Sequence, residues 1–341
     1  MSLEVDLLDR ARGVLVGQAV GDALGVPYEF GCRALDPVPA MLGGGLGGFA
    51  PGQWSDDTAM ALCIAEVAAT GTDLAAPAAL DAIALGFELW FSSEPPDVGV
   101  QTRSVLVDAA GRAGSPAQRL GSAARALHER TGRTAGNGSL MRTAVVALPG
   151  LCGPAAPTGE AAVVAAARAV SDLTHADPLA ADACALWSVA VRRAVLGAAA
   201  AHDLPGLFDC SVVPQARRGQ WEGRLQGALA AQHPSDFPDN GYVVTALQAC
   251  VCALARAPRR EGSGFFVDAV TLAVHAGHDT DSVAAITGAL AGALVGRSAI
   301  PLEWASAVHG WPGLRAADLD RLTVNTLGGG LLGSGPQQPA T

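Results

Sequence analysis

The sequence predicts an all-α protein built as one compact, orthogonal multi-helix domain. Half of the 341 residues are hydrophobic and only 5% are aromatic, and alanine is abundant, a composition that favours closely packed helices. Few segments show the period-two alternation of strands. No linker or shift in composition divides the chain, so we expect one domain over residues 1–327 and a loose, Gly/Pro/Gln-rich tail over 328–341.

Apolar residues recur at helical spacing along most of the chain, which predicts a series of helices. They cover Leu7–Gly21, Thr58–Thr70, Ala75–Phe91, Ala117–Thr131, Ser139–Leu148, Glu160–Leu173, Asp177–Ala200, Trp221–Ala231, Gly241–Ala257, Gly264–Ala276 and Ser282–Val295. The Gly- and Pro-rich stretch between Gly25 and Trp54 is predicted to be a long functional loop.

Two of these helices carry glycine at every fourth position. The first has Gly13, Gly17 and Gly21, and the last has Gly288 and Gly292. Glycine costs helix propensity, so close approach of another helix backbone is expected as compensation. We predict that the two glycine faces touch.

Composition excludes several classes of function. The formal net charge of −10 argues against binding to nucleic acid. The chain contains no lysine, which excludes a P-loop lysine and a Schiff-base lysine. Seven cysteines without CxxC spacing are expected to behave as small buried apolar residues. The longest helix-compatible uncharged run, Ser282–Gly296, is too short to cross a bilayer. Acidic residues at the start do not resemble a signal peptide, so we expect a cytoplasmic protein. We also expect it to be a monomer.

Two clusters of acidic and hydroxyl residues each stand just before an apolar, helix-like run. They are Trp54–Thr58 and Asp279–Ser282. A single Asp at a helix N-terminus is ordinary capping, and taken singly each cluster fits capping as well as metal binding. Their similar contexts favour a shared site, because adjacent carboxylates need a cation to stay ionised. Oxygen ligands without thiolate favour Mg²⁺ or Mn²⁺ over zinc, and four Asp suit two ions.

A rival interpretation is an all-helical isoprenoid diphosphate enzyme, which also binds Mg²⁺ through Asp clusters. Those clusters repeat one helical turn apart, as in DDxxD. Here Asp56 and Asp57 are followed by Thr58, Ala59 and Met60, so the pattern does not favour that class.

Five motifs, in order along nearly the whole chain, resemble the ADP-ribosylglycohydrolases. This family includes the enzyme that reactivates ADP-ribosylated dinitrogenase reductase and the ADP-ribosyl-arginine and ADP-ribosyl-serine hydrolases. The motifs are Gly17–Glu29, Trp54–Met60, Gly136–Arg142, Thr174-His175 and Gly277–Ile286. The resemblance implies an all-α domain with two Mg²⁺ or Mn²⁺ ions that hydrolyses the bond between ribose C1″ of ADP-ribose and an acceptor.

The resemblance also implies roles for single residues. The implied metal ligands are Ser55, Asp56, Asp57, Asp279, Asp281 and Ser282. Glu29 and Asp281 are the implied catalytic residues, with Glu29 orienting or activating water. From the residues alone, Glu29 would be a loop carboxylate in solvent. Family members often have Thr at positions 55 and 282, where this chain keeps a hydroxyl as Ser, and Gly at position 278, where this chain has His278.

The turn at Gly136–Ser139 resembles the family's loop for the diphosphate of ADP-ribose, and a Gly-rich turn that enters a helix can offer N–H groups to an anion. The implied substrate-binding residues are Gly136, Asn137, Gly138, Ser139, Met141 and His175. As isolated features, Asn-Gly is a turn signal and a lone His beside Asp177 is a capping or loop residue. Tyr242 and Trp54 fit either adenine or ribose contacts or structural packing.

The sequence leaves the acceptor open. Arginine, serine, guanidine or a nucleic-acid end are all compatible acceptors, so the substrate partner is an ADP-ribosylated protein or small molecule. A catalytically inactive ADP-ribose-binding or structural member of the family is the alternative, against which the complete set of acidic residues argues.

Overall fold

The computed structural model describes residues 2–152, 159–197, 204–258, 260 and 262–328. Most of these residues lie in helices. The α-helices of these residues are α1 Ser2–Gly25, α2 Asp56–Ala68, α3 Pro77–Ser92, α4 Val100–Ala109, α5 Pro116–Thr131, α6 Glu160–Asp172, α7 Pro178–Val195, α8 Leu204–Leu207, α9 Gln215–Ala230, α10 Val243–Arg256, α11 Gly264–Val274, α12 Thr280–Val295, α13 Leu302–Ala307 and α14 Ala316–Gly328. The strands β1 His309–Gly310 and β2 Leu314–Arg315 form an antiparallel pair. This confirms the all-α prediction. Among the described residues, no helix is long and apolar enough to cross a membrane.

Helices α1 and α12 pack against each other along their glycine faces, as the sequence predicts. A Cβ placed on Gly13 would lie 2.1 Å from the carbonyl oxygen of Gly292, and one on Gly17 would lie 2.3 Å from that of Gly288. Such distances exclude any side chain, so only glycine permits this approach. As the residue number rises along α1, the number of the contacting residue on α12 falls, so the two helices are antiparallel. The C-terminal end of α1 therefore lies against the N-terminal end of α12.

The close approach continues to the polar start of α12. A Cβ on Gly25 would lie 2.3 Å from Cα of Asp281, and the Thr280 hydroxyl donates to the Gly25 carbonyl at 2.8 Å. Helix α12 is buried over nearly its whole length, from Thr280 to Ala293. The packing of two core helices thus fixes the position of one acidic cluster.

The observed helices differ from the prediction in several places. Ser139–Leu148 is not an α-helix but two short 3₁₀ turns, Asn137–Ser139 and Ala144–Ala147. In this fully buried segment, Thr143 donates its hydroxyl to the Ser139 carbonyl, and such local side-chain bonds compete with helix formation. Helices α4, α8, α13 and α14 were not predicted, and α9 begins six residues before the predicted start at Trp221. Helix α4 begins with the mostly polar segment Val100-Gln-Thr-Arg-Ser104, so its apolar periodicity is weak in the sequence.

The remaining predictions agree more closely. Glu160–Leu173 and Gly264–Ala276 match α6 and α11 within two residues. The loop predicted between Gly25 and Trp54 begins with a short 3₁₀ helix, Val26–Gly31, and then continues as turns and bridges. Five of the seven cysteines predicted to be buried are buried, but Cys152 is only partly buried and Cys32, in the loop after α1, is exposed, so the prediction is wrong for Cys32. The tail predicted at 328–341 lies outside the described residues beyond Gly328.

Candidate metal centre

Asp22 connects α1 to the first acidic cluster. Its Oδ1 accepts from the Ser55 N–H at 2.8 Å, and its Oδ2 accepts from the Thr58 N–H at 3.0 Å and the Thr58 hydroxyl at 2.6 Å. N–H groups at a helix N-terminus have no partner within the helix, so Asp22 caps α2 from another helix. Ser55 is the N-cap residue, and its hydroxyl donates to Asp57 Oδ2 at 3.0 Å.

Helix packing brings the two acidic clusters together, as the sequence predicts. Carboxylate oxygens of Asp22, Asp57 and Asp281 all lie within 4.8 Å of one another, and so do those of Glu29, Asp279 and Asp281. Asp281 belongs to both groups, which we call the carboxylate triads. The Ser282 hydroxyl also reaches Asp57 Oδ2, at 3.4 Å. The N-termini of α2 and α12, with their partial positive charge, face the same acidic cluster.

The triads are buried, and in the described part of the chain no arginine forms an ion pair with them. Burial and the neighbouring carboxylates raise the pKa of Asp57 and of Asp281 well above the ordinary value, and burial raises the pKa of Asp22 to about 6. One oxygen on each of Asp57, Asp281 and Glu29 is buried without a hydrogen-bond partner among the described residues. Unpartnered carboxylate oxygens at this density are what a divalent cation requires, so the residues fit a metal with oxygen ligands.

Glu29 lies at a kink in the short helix that follows α1. The next residue, Phe30, has φ of 44° and donates its N–H to the His278 carbonyl at 2.6 Å, and His278 itself has φ of 58°. Such left-handed conformations are easiest for glycine, so His278 occupies a backbone position that suits glycine better. Glu29 is only 6% exposed, so it is not a loop carboxylate in solvent. Burial, then Asp279, raises its pKa to about 9.

Asp56 is not a member of either triad, although its charge acts on Glu29 and Asp57. Its Oδ2 accepts from the Gly99 N–H at 3.2 Å, and burial, then the charge of Asp97, raises its pKa to about 7. Asp56 and Ser55 line a cavity of about 580 Å³, which extends over Glu94 and Asp97. The aromatic residues lining this cavity are Phe49, Trp54, Trp90 and Trp311.

The turn Gly136–Ser139 is fastened to the second triad. The Asn137 amide donates to Asp279 Oδ2 at 2.8 Å and to the Asn240 carbonyl at 3.0 Å, while Asn240 Oδ1 accepts from the Asp279 N–H at 2.9 Å. A ligand held by this turn would therefore lie beside the carboxylates. Ser139 is fully buried and accepts from the Ser171 hydroxyl at 2.9 Å, so its side chain supports the turn.

Two further predicted substrate residues are buried beside these elements. Met141 is 3% exposed, and its sulfur accepts from the Ser282 hydroxyl at 3.9 Å. His175 is 1% exposed and packs under the turn, where a Cβ on Gly138 would lie 3.2 Å from its ring. Trp54 is 2% exposed and donates its ring N–H to the Trp311 carbonyl at 3.2 Å, which favours packing. Tyr242 is 39% exposed and pairs with Gly136 in a β-bridge.

Sequence reasoning missed Asp22 and Asn240. Asp22 stands inside the glycine-rich, otherwise apolar face of α1, where a carboxylate without a basic neighbour is costly. This isolated acidic residue in an apolar helix could have identified Asp22 as part of the site from the sequence. Asn240 follows an ordinary Pro-Asp turn pattern, and its contact with Asp279 spans 39 positions in the chain, so no local signal marked it.

Fold and site together define an all-helical protein with a buried carboxylate cluster suited to divalent cations. The sequence profile of the ADP-ribosylglycohydrolase family matches residues 3–331, so the chain belongs to that family and is a glycosidic hydrolase of ADP-ribosylated substrates.

Individual relatives of the chain are also ADP-ribosyl hydrolases. The chain is 31% identical over 306 residues to an ADP-ribosylarginine hydrolase of Pseudomonas putida, covering 88% of this chain and 74% of that one. It is 31% identical over 317 residues to the ADP-ribosyl-[dinitrogen reductase] glycohydrolase of Rhodospirillum rubrum, covering 87% and 90%. A solved ADP-ribosylglycohydrolase-related protein complex matches with a TM-score of 0.68 and 28% identity, over 94% of this chain and 98% of that one.

Proposed function

We propose that this chain removes ADP-ribose from arginine side chains by hydrolysis at ribose C1″, using two Mg²⁺ or Mn²⁺ ions. The observation that carries the proposal is the pair of carboxylate triads sharing Asp281, with unpartnered oxygens on Asp57, Asp281 and Glu29. Ser55, Asp56, Asp57, Asp279, Asp281 and Ser282 would hold the ions, and Asp22 would position Ser55 and Thr58 at the start of α2. When bound, such ions supply the positive charge that binds the ribose hydroxyls and water and stabilises an oxocarbenium-like transition state.

Glu29 is proposed as the residue that orients the attacking water and receives its proton. A carboxyl group with a pKa of about 9 keeps its proton at neutral pH, so Glu29 becomes a base only when positive charge enters the cluster. Its attachment through Phe30 to His278 places it beside Asp279. Asp281, common to both triads, fixes the relative position of the two halves of the site.

The Gly136–Ser139 turn is proposed to hold the diphosphate. Asn137 links the turn to Asp279, which sets the distance from diphosphate to ribose. Met141 and His175 would line the same binding site, and the partly exposed ring of Tyr242 would be available to the adenine.

The cavity at Asp56 supports arginine as the acceptor. Its lining combines the acidic residues Glu94 and Asp97 with the aromatic residues Trp90 and Trp311. Carboxylates and aromatic faces bind a planar guanidinium cation, whereas a serine hydroxyl has no need of either. Relatives from two species are named ADP-ribosylarginine hydrolases.

The location is also proposed. Buried free thiols such as Cys63, Cys184 and Cys250 are typical of proteins of reducing compartments, which supports a cytoplasmic enzyme. Its partner is the ADP-ribosylated protein, and we propose that it acts as a monomer.

The test is release of free ADP-ribose from ADP-ribosyl-arginine, ADP-ribosyl-serine and ADP-ribosyl-guanidine, each with Mg²⁺, Mn²⁺ or EDTA. We expect metal-dependent release from the arginine substrate. Asp97→Asn should raise KM for the arginine substrate more than for any serine substrate that is turned over. Release that persists in EDTA contradicts the metal proposal. Binding of ADP-ribose without release from any substrate would favour the inactive binding protein instead.

A further inference from the structure

Arg142, Thr174 and His175 form a buried chain of hydrogen bonds next to the Gly136–Ser139 turn. Arg142 Nη2 donates to the Thr174 hydroxyl at 2.7 Å, and the same hydroxyl lies 2.7 Å from His175 Nδ1. All three side chains are at most 1% exposed. None of them belongs to the carboxylate triads.

The directions of these bonds are set by what each group can do. A guanidinium only donates, so the Thr174 oxygen accepts from Arg142. The Thr174 hydroxyl has one hydrogen, and within the described part of the chain its oxygen contacts no acceptor except His175 Nδ1. If Nδ1 carried a proton, that hydroxyl hydrogen would be buried without a partner, at a cost of about 1–3 kcal/mol. His175 Nδ1 is therefore the acceptor.

The other ring nitrogen faces the turn. A Cβ on Gly136 would lie 3.4 Å from His175 Nε2, and one on Gly138 would lie 3.2 Å from it. Because neither glycine has a side chain, this edge of the ring packs directly against the turn. Within the described residues, no protein acceptor lies within hydrogen-bond distance of Nε2.

We propose that Arg142 and Thr174 are positioning residues that hold His175 as the tautomer protonated on Nε2, so that Nε2–H donates to an anionic oxygen bound at the Gly136–Ser139 turn. The identification of that anion as the diphosphate of ADP-ribose rests on the proposed function. The tautomer itself does not.

The surroundings support a neutral, fixed ring. Burial, then the positive charge of Arg142, lowers the pKa of His175 well below its ordinary value. Arg142 is fixed in turn, since its guanidinium lies 4.4 Å from the centre of the Phe87 ring and donates to the Val170 carbonyl at 3.3 Å. Without this chain the ring could turn over and present either nitrogen to the ligand.

The tautomer can be read directly from protein labelled with ¹⁵N at histidine. Long-range ¹H–¹⁵N correlation distinguishes the protonated nitrogen from the bare one, and the His175 signals are those lost in His175→Gln. We expect a proton on Nε2 and a bare, hydrogen-bonded Nδ1. Thr174→Ser should keep this pattern, while Thr174→Val should change the Nδ1 shift. A proton on Nδ1 in the wild-type protein overturns the proposal.

Two substitutions test the donor to the ligand. The amide nitrogen of Gln occupies nearly the position of Nε2, and that of Asn nearly the position of Nδ1. We expect His175→Gln to retain ADP-ribose binding and His175→Asn to weaken it about tenfold or more, as for loss of a hydrogen bond to a charged oxygen. Both can be measured by calorimetry, and thermal unfolding of each variant controls for folding.

The outcomes separate this inference from the proposed function. Equal loss of binding in both variants, or tighter binding by His175→Asn, contradicts a donor at Nε2. If the wild-type protein does not bind ADP-ribose, the proposed function fails and the ligand contact fails with it. The spectrum then still decides whether Arg142 and Thr174 fix the tautomer.

Discussion

Two regions of this molecule contain buried carboxylates. In one region the carboxylate is paired with arginines, and in the other the carboxylates are unpaired. Asp182 on α7 is fully buried, yet it pairs with Arg168 at 2.8 Å and Arg217 at 3.0 Å and accepts from the Trp221 ring N–H at 3.1 Å. Burial alone would raise its pKa, but these donors outweigh burial and lower the pKa. The carboxylates of the triads have raised pKa values and unpartnered oxygens.

The difference separates structural from functional charge. A carboxylate that serves the fold comes with its cations, because an unpaired buried charge is strongly unfavourable. No arginine lies within ion-pairing distance of the triads among the described residues. The fold therefore leaves this cluster to be neutralised by protons or by an added cation. Four predictions test the contrast, from the largest expected effect to the smallest.

Asp281→Asn should abolish turnover, by about 10³-fold or more, because Asp281 belongs to both triads. Without metal, the same variant should be more stable than the wild type, because it removes an uncompensated buried carboxylate. We expect its free energy of unfolding to be higher by about 1 kcal/mol or more. Turnover and urea unfolding in EDTA measure the two effects. A clear loss of stability in the metal-free variant would mean that Asp281 is structural.

Asp182→Asn should have the reverse effect. Removal of its charge leaves Arg168 and Arg217 without their partner, which we expect to cost about 2–4 kcal/mol of unfolding free energy. The folded fraction should keep the wild-type kcat. Urea unfolding and turnover of the same preparation check this. A large drop in kcat at full folding would contradict the division between the two regions.

Asp22→Asn should lower metal affinity about 10–100-fold, the usual effect of losing a group that orients ligands. An amide keeps only one acceptor oxygen for the donors from Ser55 and Thr58, so the start of α2 loses part of its cap. Thr58→Val, which removes only the hydroxyl donor, is the matched control and should have a smaller effect. Mn²⁺ titration of both variants provides the measurement. Unchanged affinity in Asp22→Asn would place Asp22 outside the site.

The metal-free protein should lose stability as pH rises. The pKa of Asp22 is raised from 3.8 to about 6 and that of Glu29 from 4.5 to about 9, so the folded state holds more protons than the unfolded state between about pH 4 and 9. Stability falls with rising pH wherever the folded state binds more protons. In EDTA, Tm should decrease across this range, and added Mg²⁺ should raise Tm more at the alkaline end. An equal Mg²⁺ effect at both ends would show that proton displacement is not coupled to metal binding.

The sequence allowed the framework to be predicted because its signals are local. The four-residue spacing of Gly13 and Gly17 with Gly288 and Gly292 predicted the central helix pair, and the acidic helix starts predicted the position of the carboxylates. Both follow from the repeat of the α-helix and the polarity of its N-terminus.

What could not be predicted depends on contacts between distant segments. Asp22 completes a triad only because α1 lies against α12, and Asn137 reaches Asp279 across 142 positions. The turns at 139–148 replaced a predicted helix because buried hydroxyls compete for its backbone groups. Helical periodicity carries no information on such contacts.

The most direct test counts divalent ions on the native chain and measures hydrolysis on the same sample. Mn²⁺ titration of EDTA-treated protein, followed by release of ADP-ribose from ADP-ribosyl-arginine, relates occupancy to rate. We predict two ions per chain, activity that appears only as they bind, and loss of both in Asp281→Asn. Full activity with no bound ion, or binding of two ions to Asp281→Asn as to the wild type, would contradict a metal centre built on the carboxylate triads.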